Sequence, residues 1–250
     1  MSAALPILTY HAIDTSGSVL STDPAWFTET LAKLHEAGFC AVDLADWIAR
    51  GRPEIARGFA LTFDDGLRSI LGVAELVARF HFRATVFLVT DRMGGENAWQ
   101  GQHAGIPHAP LLAWSDLSEL AWAGFAFASH TRSHRRLDRC DDMTLDDELR
   151  GSRDILEQRL GHPCRLLAYP YGAASRRVLN ASARVYAASF GTRLDYATRH
   201  DPPHSISRID AYYLRSYAGL RRLVSGKWRG SLHTRRVLRQ VRGAAEALRG

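Results

Sequence analysis

The sequence alternates along nearly its whole length between short apolar runs and amphipathic segments of helical periodicity. The apolar runs have the length of buried strands and lie at residues 6–10, 59–63, 84–89, 125–129, 165–169 and 187–190. The helical segments lie at residues 24–37, 67–80, 115–123, 144–160 and 175–184. Alternation of this kind favours a parallel sheet covered by helices, either open or closed into a barrel.

The chain length and the distribution of charge define two regions. A chain of 250 residues suits a single α/β barrel, and we expect the main domain to occupy residues 1–219. Residues 220–250 form a basic tail: nine of the arginines and lysines lie from Arg221 onward, against Glu246 alone. Since the whole chain carries only +6, the body is close to neutral. The tail pattern is compatible with a basic amphipathic helix that lies on an anionic membrane surface, or with a helix packed on the barrel or a loose terminus.

Cysteine usage and the N-terminal sequence bear on localisation. Cys40, Cys140 and Cys164 fit neither a disulfide framework nor a zinc motif. The N-terminal residues lack the basic and apolar regions of a signal peptide, and nowhere are there eighteen consecutive apolar residues. We therefore predict a cytoplasmic protein. The basic tail is the segment through which we expect any peripheral contact with the inner membrane surface. Nucleic acid is not an expected partner, because the body is near neutral and shows no RRM, KH or zinc-finger pattern.

Two adjacent acids follow one of the predicted strands. The segment Leu61-Thr62-Phe63-Asp64-Asp65-Gly66 places both carboxylates at the carboxyl end of a strand, where parallel α/β sheets bind ligands. Neighbouring carboxylates repel each other unless a cation or a shared proton relieves them. The alternative is that Asp65 caps the next helix.

Two histidines follow another strand, in the segment from Phe125 to His134. His130 and His134 are four positions apart, a spacing that on a helical turn places both imidazoles on one side. Together with Asp65 they make a set of two histidines and one carboxylate, which suits zinc or another divalent transition metal. Asp64 is then left to act as general base on a water whose pKa the metal lowers.

A third strand end and a long loop complete the candidate site. In Leu167-Ala168-Tyr169-Pro170-Tyr171-Gly172 a proline and a glycine expose the backbone, so that an N–H there can face a developing oxyanion, although an ordinary turn is the alternative. Residues 91–113 form an irregular segment rich in glycine and proline, and loops of this length in compact domains are usually functional or disordered.

The three segments, in this order, resemble the signature motifs of carbohydrate esterase family four, the NodB-homology polysaccharide deacetylases. Residues 62–66 match T-F-D-D-G and residues 130–134 match H-[ST]-x-x-H, and the resemblance spans roughly residues 5 to 215. It implies a distorted (β/α) barrel, usually of seven strands, that removes N-acetyl groups from hexosamine polymers or oligomers.

The resemblance also implies a role for each matching residue. Asp64 resembles the family's base, and Asp65, His130 and His134 resemble its metal ligands, with zinc the usual ion and cobalt or nickel as alternatives. Tyr171 falls where the family supplies a backbone oxyanion donor. We therefore expect an acetylated glycan or a lipid-linked sugar as substrate.

The sequence departs from the family pattern in two places. Many members carry an arginine, which orients the catalytic aspartate, where this chain has Ala168, and the A-Y-P-Y-G form resembles a subset associated with exopolysaccharide biosynthesis. The late L-x-H motif, whose histidine protonates the leaving amine, does not occur after Gly172. His204 is the candidate for that acid. Arg208 is expected to contact substrate or to support the catalytic aspartate, with a surface salt bridge as the alternative.

Two more residues are candidates for substrate contact, and two alternative functions are compatible with the sequence. His11 ends the first strand and Trp99 lies in the long loop, where its ring could stack on a sugar, although both residue types also pack in cores. A carbohydrate-binding pseudoenzyme is the rival from another class, because of the two departures. Within enzymes, the alternative is an amidohydrolase of the same barrel that acts on a small amide.

Overall fold

The fold is a closed barrel of seven parallel strands. The computed structural model describes residues 4–225 and Trp228. The barrel strands are β1 (Ile7–Tyr10), β2 (Gly58–Phe63), β3 (Ala84–Leu88), β4 (Phe125–Ser129), β5 (Leu166–Ala168), β6 (Ala188–Leu194) and β7 (Ile206–Asp210). Their order around the barrel is β1, β7, β6, β5, β4, β3 and β2, and β2 pairs again with β1. This confirms the distorted seven-stranded barrel that the family resemblance implies.

Eight α-helices accompany the barrel within the described residues. They are α1 (Pro24–Glu36), α2 (Leu44–Ala49), α3 (Ala74–Arg79), α4 (Leu117–Trp122), α5 (Asp142–Asp146), α6 (Ser152–Leu160), α7 (Arg176–Ser182) and α8 (Tyr217–Val224). Helix α1 starts as its sequence predicts: the Asp23 side chain accepts hydrogen bonds from two backbone N–H groups, and Pro24 takes the first helical position. A π-helical turn, Asp147–Gly151, joins α5 to α6.

Shorter elements fill the connections between strands and helices. The two-residue strands are Ala4–Leu5, Ala12–Ile13, Ser21–Thr22, Cys40–Ala41 and Ala197–Thr198. The 3₁₀ helices are Arg68–Val73, Thr90–Arg92, Trp114–Asp116, Leu137–Arg139, Pro170–Gly172 and Ala211–Leu214. The helical segment predicted at residues 67–80 is therefore a 3₁₀ helix that continues into α3.

The strands build two apolar layers, one inside and one outside the barrel, because successive side chains of a strand point to opposite faces. The inner cluster combines small alanines with Phe87 and Phe190, as a narrow seven-stranded barrel requires. Leu8, Leu61 and Val86 belong to the outer cluster, which packs against the surrounding helices. The inner side chains fill the barrel below the carboxyl ends of its strands, so a binding site can form only at those carboxyl ends.

The start of the basic tail packs on the barrel. Helix α8 crosses the predicted boundary between residues 219 and 220. Leu220, Leu223 and Trp228 are buried in the outer core, so these apolar side chains face the barrel and not a membrane surface. The remainder of the predicted amphipathic tail lies outside the described residues. Among the described residues no helix has both the length and the apolar character needed to span a bilayer.

Candidate active site

The two adjacent acids, Asp64 and Asp65, lie at a strained turn directly after β2. Asp65 and Gly66 both have left-handed backbone conformations, with φ of 69° and 72°, and a non-glycine residue in that region is uncommon. The next helix begins at Arg68 and has Leu67 at its N-cap, without a side-chain cap. The alternative that Asp65 caps a helix is therefore wrong, and its carboxylate is left for another role.

Asp65 meets both predicted histidines. Its Oδ1 lies 3.3 Å from Nε2 of His130 and 3.2 Å from Nε2 of His134, and all three side chains are buried. Burial by itself raises the pKa of the Asp65 carboxyl, but the two imidazoles outweigh it and hold this pKa well below its usual range. The structure thus brings together an anionic oxygen and two ring nitrogens, as the sequence predicts.

The histidines do not lie on a helical turn, which corrects the geometric argument made from their spacing. They belong to an irregular loop after β4, in which Thr131 and His134 have φ of 68° and 63°. The N–H of His130 donates to Leu88 O, and the N–H of Thr131 donates to Ser129 Oγ. Left-handed residues at two positions turn this loop so that both imidazoles still reach Asp65.

A buried glutamate that the sequence did not single out supports this loop. Glu148 lies in the π-helical turn, and its carboxylate accepts hydrogen bonds from the backbone N–H groups of Arg132 and Ser133, at 2.9 and 3.0 Å, and from the Ser133 hydroxyl. Its side chain is 5% exposed. Isolated π-turns are frequent at functional sites, but the periodicity of a helix does not reveal them from sequence.

The donor set fits a divalent transition metal. Nδ1 of His130 donates to Ala168 O at 2.8 Å, so Nε2 keeps its lone pair for a cation. Burial lowers the pKa of His134, which favours the neutral ligand form. Ligand atoms about 2.0–2.2 Å from zinc are separated from one another by about 3–3.5 Å, and the two measured separations from Asp65 Oδ1 fall in that range.

Asp64 is held by a buried arginine from β7. Nη1 and Nη2 of Arg208 each lie 2.7 Å from one carboxylate oxygen of Asp64, and Nε donates to Gly191 O at 3.1 Å. Burial raises the pKa of the Asp64 carboxyl, but the Arg208 guanidinium and neighbouring imidazoles more than offset this, so that the pKa is lowered. Asp64 is therefore ionised, as a general base must be.

This ion pair explains the first departure from the family pattern. An arginine is absent at position 168, yet Arg208 supplies a guanidinium to Asp64 from a different strand. Of the roles considered for Arg208, support of the aspartate is the one that the structure shows. Its guanidinium is engaged with Asp64 and the backbone. Arg208 also lines the cavity, so its contact with substrate stays a prediction.

Asp64, Asp65, His130 and His134 all line a cavity of about 420 Å³. Its walls also include His11 and Asp210, and the loop at residues 97–106 forms one side. His11 is half-buried and Tyr171 lies at the rim, 40% exposed, with a left-handed backbone at φ 59°. The cavity is of the size that holds a small ligand or one end of a longer one.

Two predicted site residues have surroundings other than those expected. Trp99 lines the cavity, but it is buried and its ring stacks on His134. His204 precedes β7 and its Nδ1 pairs with Ser189 Oγ at 3.2 Å. Ser189 alternates with inward-facing Ala188 and Phe190 and therefore faces the outside of the barrel. The structure does not bring His204 to the cavity, so it is not in position to protonate a leaving group there.

Comparison with known proteins assigns the class of protein. The family model for polysaccharide deacetylase matches residues 52–188, which include both acids and both histidines. The chain therefore belongs to the polysaccharide deacetylase family, whose members are hydrolases of carbon–nitrogen bonds other than peptide bonds.

Individual relatives are distant in sequence but share the fold. YxkH of Bacillus subtilis strain 168, provisionally named a polysaccharide deacetylase, is 22% identical over 212 residues, which cover 83% of this chain and 71% of YxkH. The deacetylase PplD of Streptococcus pyogenes, solved with acetate, superposes with a TM-score of 0.72 at 22% identity, covering 84% of this chain and 93% of PplD. IcaB from Ammonifex degensii gives a TM-score of 0.70 at 17% identity, covering 90% and 97%.

Proposed function

We propose that this protein removes N-acetyl groups from an N-acetylhexosamine-containing glycan or glycan precursor, with a divalent cation held by Asp65, His130 and His134. Zinc suits this donor set best, with cobalt or nickel as alternatives. The observation that carries the proposal is an ionised carboxylate, Asp64, held by Arg208 in the same cavity as the three-ligand cluster.

The residues of the chain divide the hydrolysis between them. When bound, the ion supplies a Lewis acid that polarises the acetamide carbonyl and activates water. Asp64 accepts the proton of the attacking water, and Arg208 keeps its two oxygens in a fixed orientation. The backbone N–H of Tyr171 contributes a donor to the oxyanion of the tetrahedral intermediate.

The leaving amine needs a proton, and His11 is the group that we assign to deliver it. Two histidines besides the ligands line the cavity, His11 and His103. His103 lies on an exposed part of the loop, whereas His11 directly follows Tyr10, which pairs with Phe63, the residue directly before Asp64. His11 therefore stands closer to the reacting groups and takes the role that the sequence assigned to His204.

The alternative of a carbohydrate-binding pseudoenzyme loses one of the two observations that supported it. It rested on the missing arginine at position 168 and on the absent L-x-H motif, and Arg208 supplies the guanidinium that was thought to be missing. An enzyme for small amides uses the same groups, so a substrate panel has to separate the two. The A-Y-P-Y-G segment supports an exopolysaccharide or its lipid-linked precursor as the glycan.

Release of acetate tests the proposal. Zinc-loaded protein is incubated with N-acetylhexosamine oligomers of increasing length, with a chitin-type monomer and with simple acetamides, and free acetate and new amines are measured. We expect turnover of the oligomers, lost in Asp64→Asn and Asp65→Ala and kept in Asp146→Asn, whose side chain is 56% exposed on α5. Activity that survives both active-site substitutions contradicts the mechanism, and turnover of simple amides alone points to the amidohydrolase.

A further inference from the structure

An aromatic side chain from the long loop lies flat against one of the proposed ligands. The ring of Trp99 is stacked on the imidazole of His134, with centroids 4.0 Å apart and an interplanar angle of 29°. Tyr171 contacts the same imidazole edge-on at 4.7 Å and 64°. The plane of the His134 ring is thus defined by two aromatic neighbours.

The two histidine ligands are oriented by different means. Nδ1 of His130 donates to the carbonyl of Ala168, the usual way in which a protein fixes the far nitrogen of a metal-binding histidine. Nδ1 of His134 is buried and has no hydrogen-bond partner among the described residues. Packing against Trp99 and Tyr171 therefore takes the place of the hydrogen bond in setting the direction of Nε2.

Trp99 is itself rigidly held. Its ring packs in a small buried cluster with Ala12, Leu67, Val89 and Leu111, separate from the main core. The loop around it is closed by the Asn97 side chain, which accepts from the N–H of Ala109 at 2.6 Å and donates to the carbonyl of Pro107 at 3.3 Å. A ring held in this way can keep a neighbouring imidazole in one plane.

We propose that Trp99 is a positioning residue for the cation site, acting through His134, and that retention of the cation depends on the loop at residues 91–113. This inference rests on the proposed metal site. It gives Trp99 a role other than the sugar platform expected from sequence, because the face of the indole that stacks on His134 is covered by that imidazole. Burial of Trp99 to 8% exposure agrees with packing rather than with an open platform.

Cation affinity separates the two roles. Zinc binding is measured by competition with a chromophoric chelator, and the visible spectrum of the cobalt-loaded protein reports ligand geometry. We expect Trp99→Met, which keeps an apolar side chain without a flat ring, to bind zinc about 10- to 100-fold more weakly than the parent protein. Trp99→Phe keeps a flat ring and is expected to recover most of that affinity. Trp122→Leu removes a tryptophan that is 93% exposed on α4 and serves as the matched control.

Four outcomes overturn the inference. Equal zinc affinity in Trp99→Met and Trp99→Phe, even if both melt at a lower temperature, means that the ring stack does not position His134. An unchanged cobalt spectrum in Trp99→Met with a raised KM for the oligomer makes Trp99 a sugar contact. Failure of the parent protein to bind zinc removes the proposed metal site together with this inference. If the parent protein binds zinc tightly and both Trp99 variants bind it equally tightly, this inference alone is removed.

Discussion

Removal of the Arg208 guanidinium is the perturbation whose size the structure defines best. The pair with Asp64 is bidentate, with two contacts of 2.7 Å, and its side chains are 3% and 6% exposed. Loss of one partner from a buried ion pair leaves an uncompensated charge and costs about 3–5 kcal/mol. Against a total stability of about 5–15 kcal/mol for a domain, Arg208→Met should lower the urea midpoint clearly.

The activity of Arg208→Met should also fall, for a reason separate from its loss of stability. Burial raises the pKa of Asp64, and without the guanidinium its largest opposing influence is lost, so this pKa should rise; the carboxylate is also no longer held in one orientation. A general base contributes about 10²- to 10⁴-fold to the rate, so we expect kcat of Arg208→Met to fall within that range and no further than in Asp64→Asn. Arg208→Lys keeps the charge but not the two-pronged geometry and should be intermediate.

A double-mutant cycle isolates the pair. Asp64→Leu combined with Arg208→Met replaces both charges by apolar groups, and the double variant should be more stable than the sum of the single changes predicts. Arg150→Met is the control, because the Arg150–Asp146 pair is exposed and worth less than about 0.5 kcal/mol. An Arg208→Met protein that keeps parental kcat and lies within about 0.5 kcal/mol of parental stability would refute the role assigned to the pair.

Three further predictions follow from contacts around the cavity. Glu148→Gln removes the charge that holds the His130–His134 loop, and zinc affinity should drop about 10- to 100-fold in a chelator competition. A variant with parental zinc affinity contradicts the role of Glu148 in holding this loop. His11→Gln should lower kcat about 10²-fold at unchanged zinc content if it protonates the leaving amine; an unaltered kcat assigns that proton elsewhere. His204→Gln should leave kcat unchanged. Because burial lowers the pKa of His204 below 6.5, its neutral form contributes stability that is complete above that pH and is lost as the pH falls through the folded-state pKa. His204→Gln should therefore lose less stability than the parent between about pH 7.5 and 5 in urea unfolding, and an equal loss contradicts this.

Local signals predicted the alternating strands and helices and the four central residues, whereas the closed barrel was implied by the family resemblance. Six of the seven strands are short apolar runs, and the acids and histidines stand directly behind two of them. The seventh strand, β7, was not recognised as one, because Ser207, Arg208 and Asp210 interrupt its apolar pattern. That interruption has a function, since Arg208 points inward to Asp64.

What the sequence could not supply were relations between distant segments. Asp64 and Arg208 are 144 positions apart, and a bidentate pair across the barrel leaves no periodic trace. Glu148 looks like any charged residue of a helix until the π-turn directs it at the histidine loop. His204 was proposed from its place in the chain order alone, and strand alternation put the group that it contacts, Ser189, on the outside of the barrel.

The central claim is that Asp65, His130 and His134 hold a catalytic cation. A crystal structure of the zinc-loaded protein, with anomalous data collected at the zinc edge, tests it most directly. We predict one strong anomalous peak about 2.0–2.2 Å from Asp65 Oδ1 and from Nε2 of both histidines, with Asp64 outside the coordination sphere and still paired with Arg208. A peak elsewhere, ligation through Nδ1 of either histidine, or direct ligation by Asp64 would contradict the account.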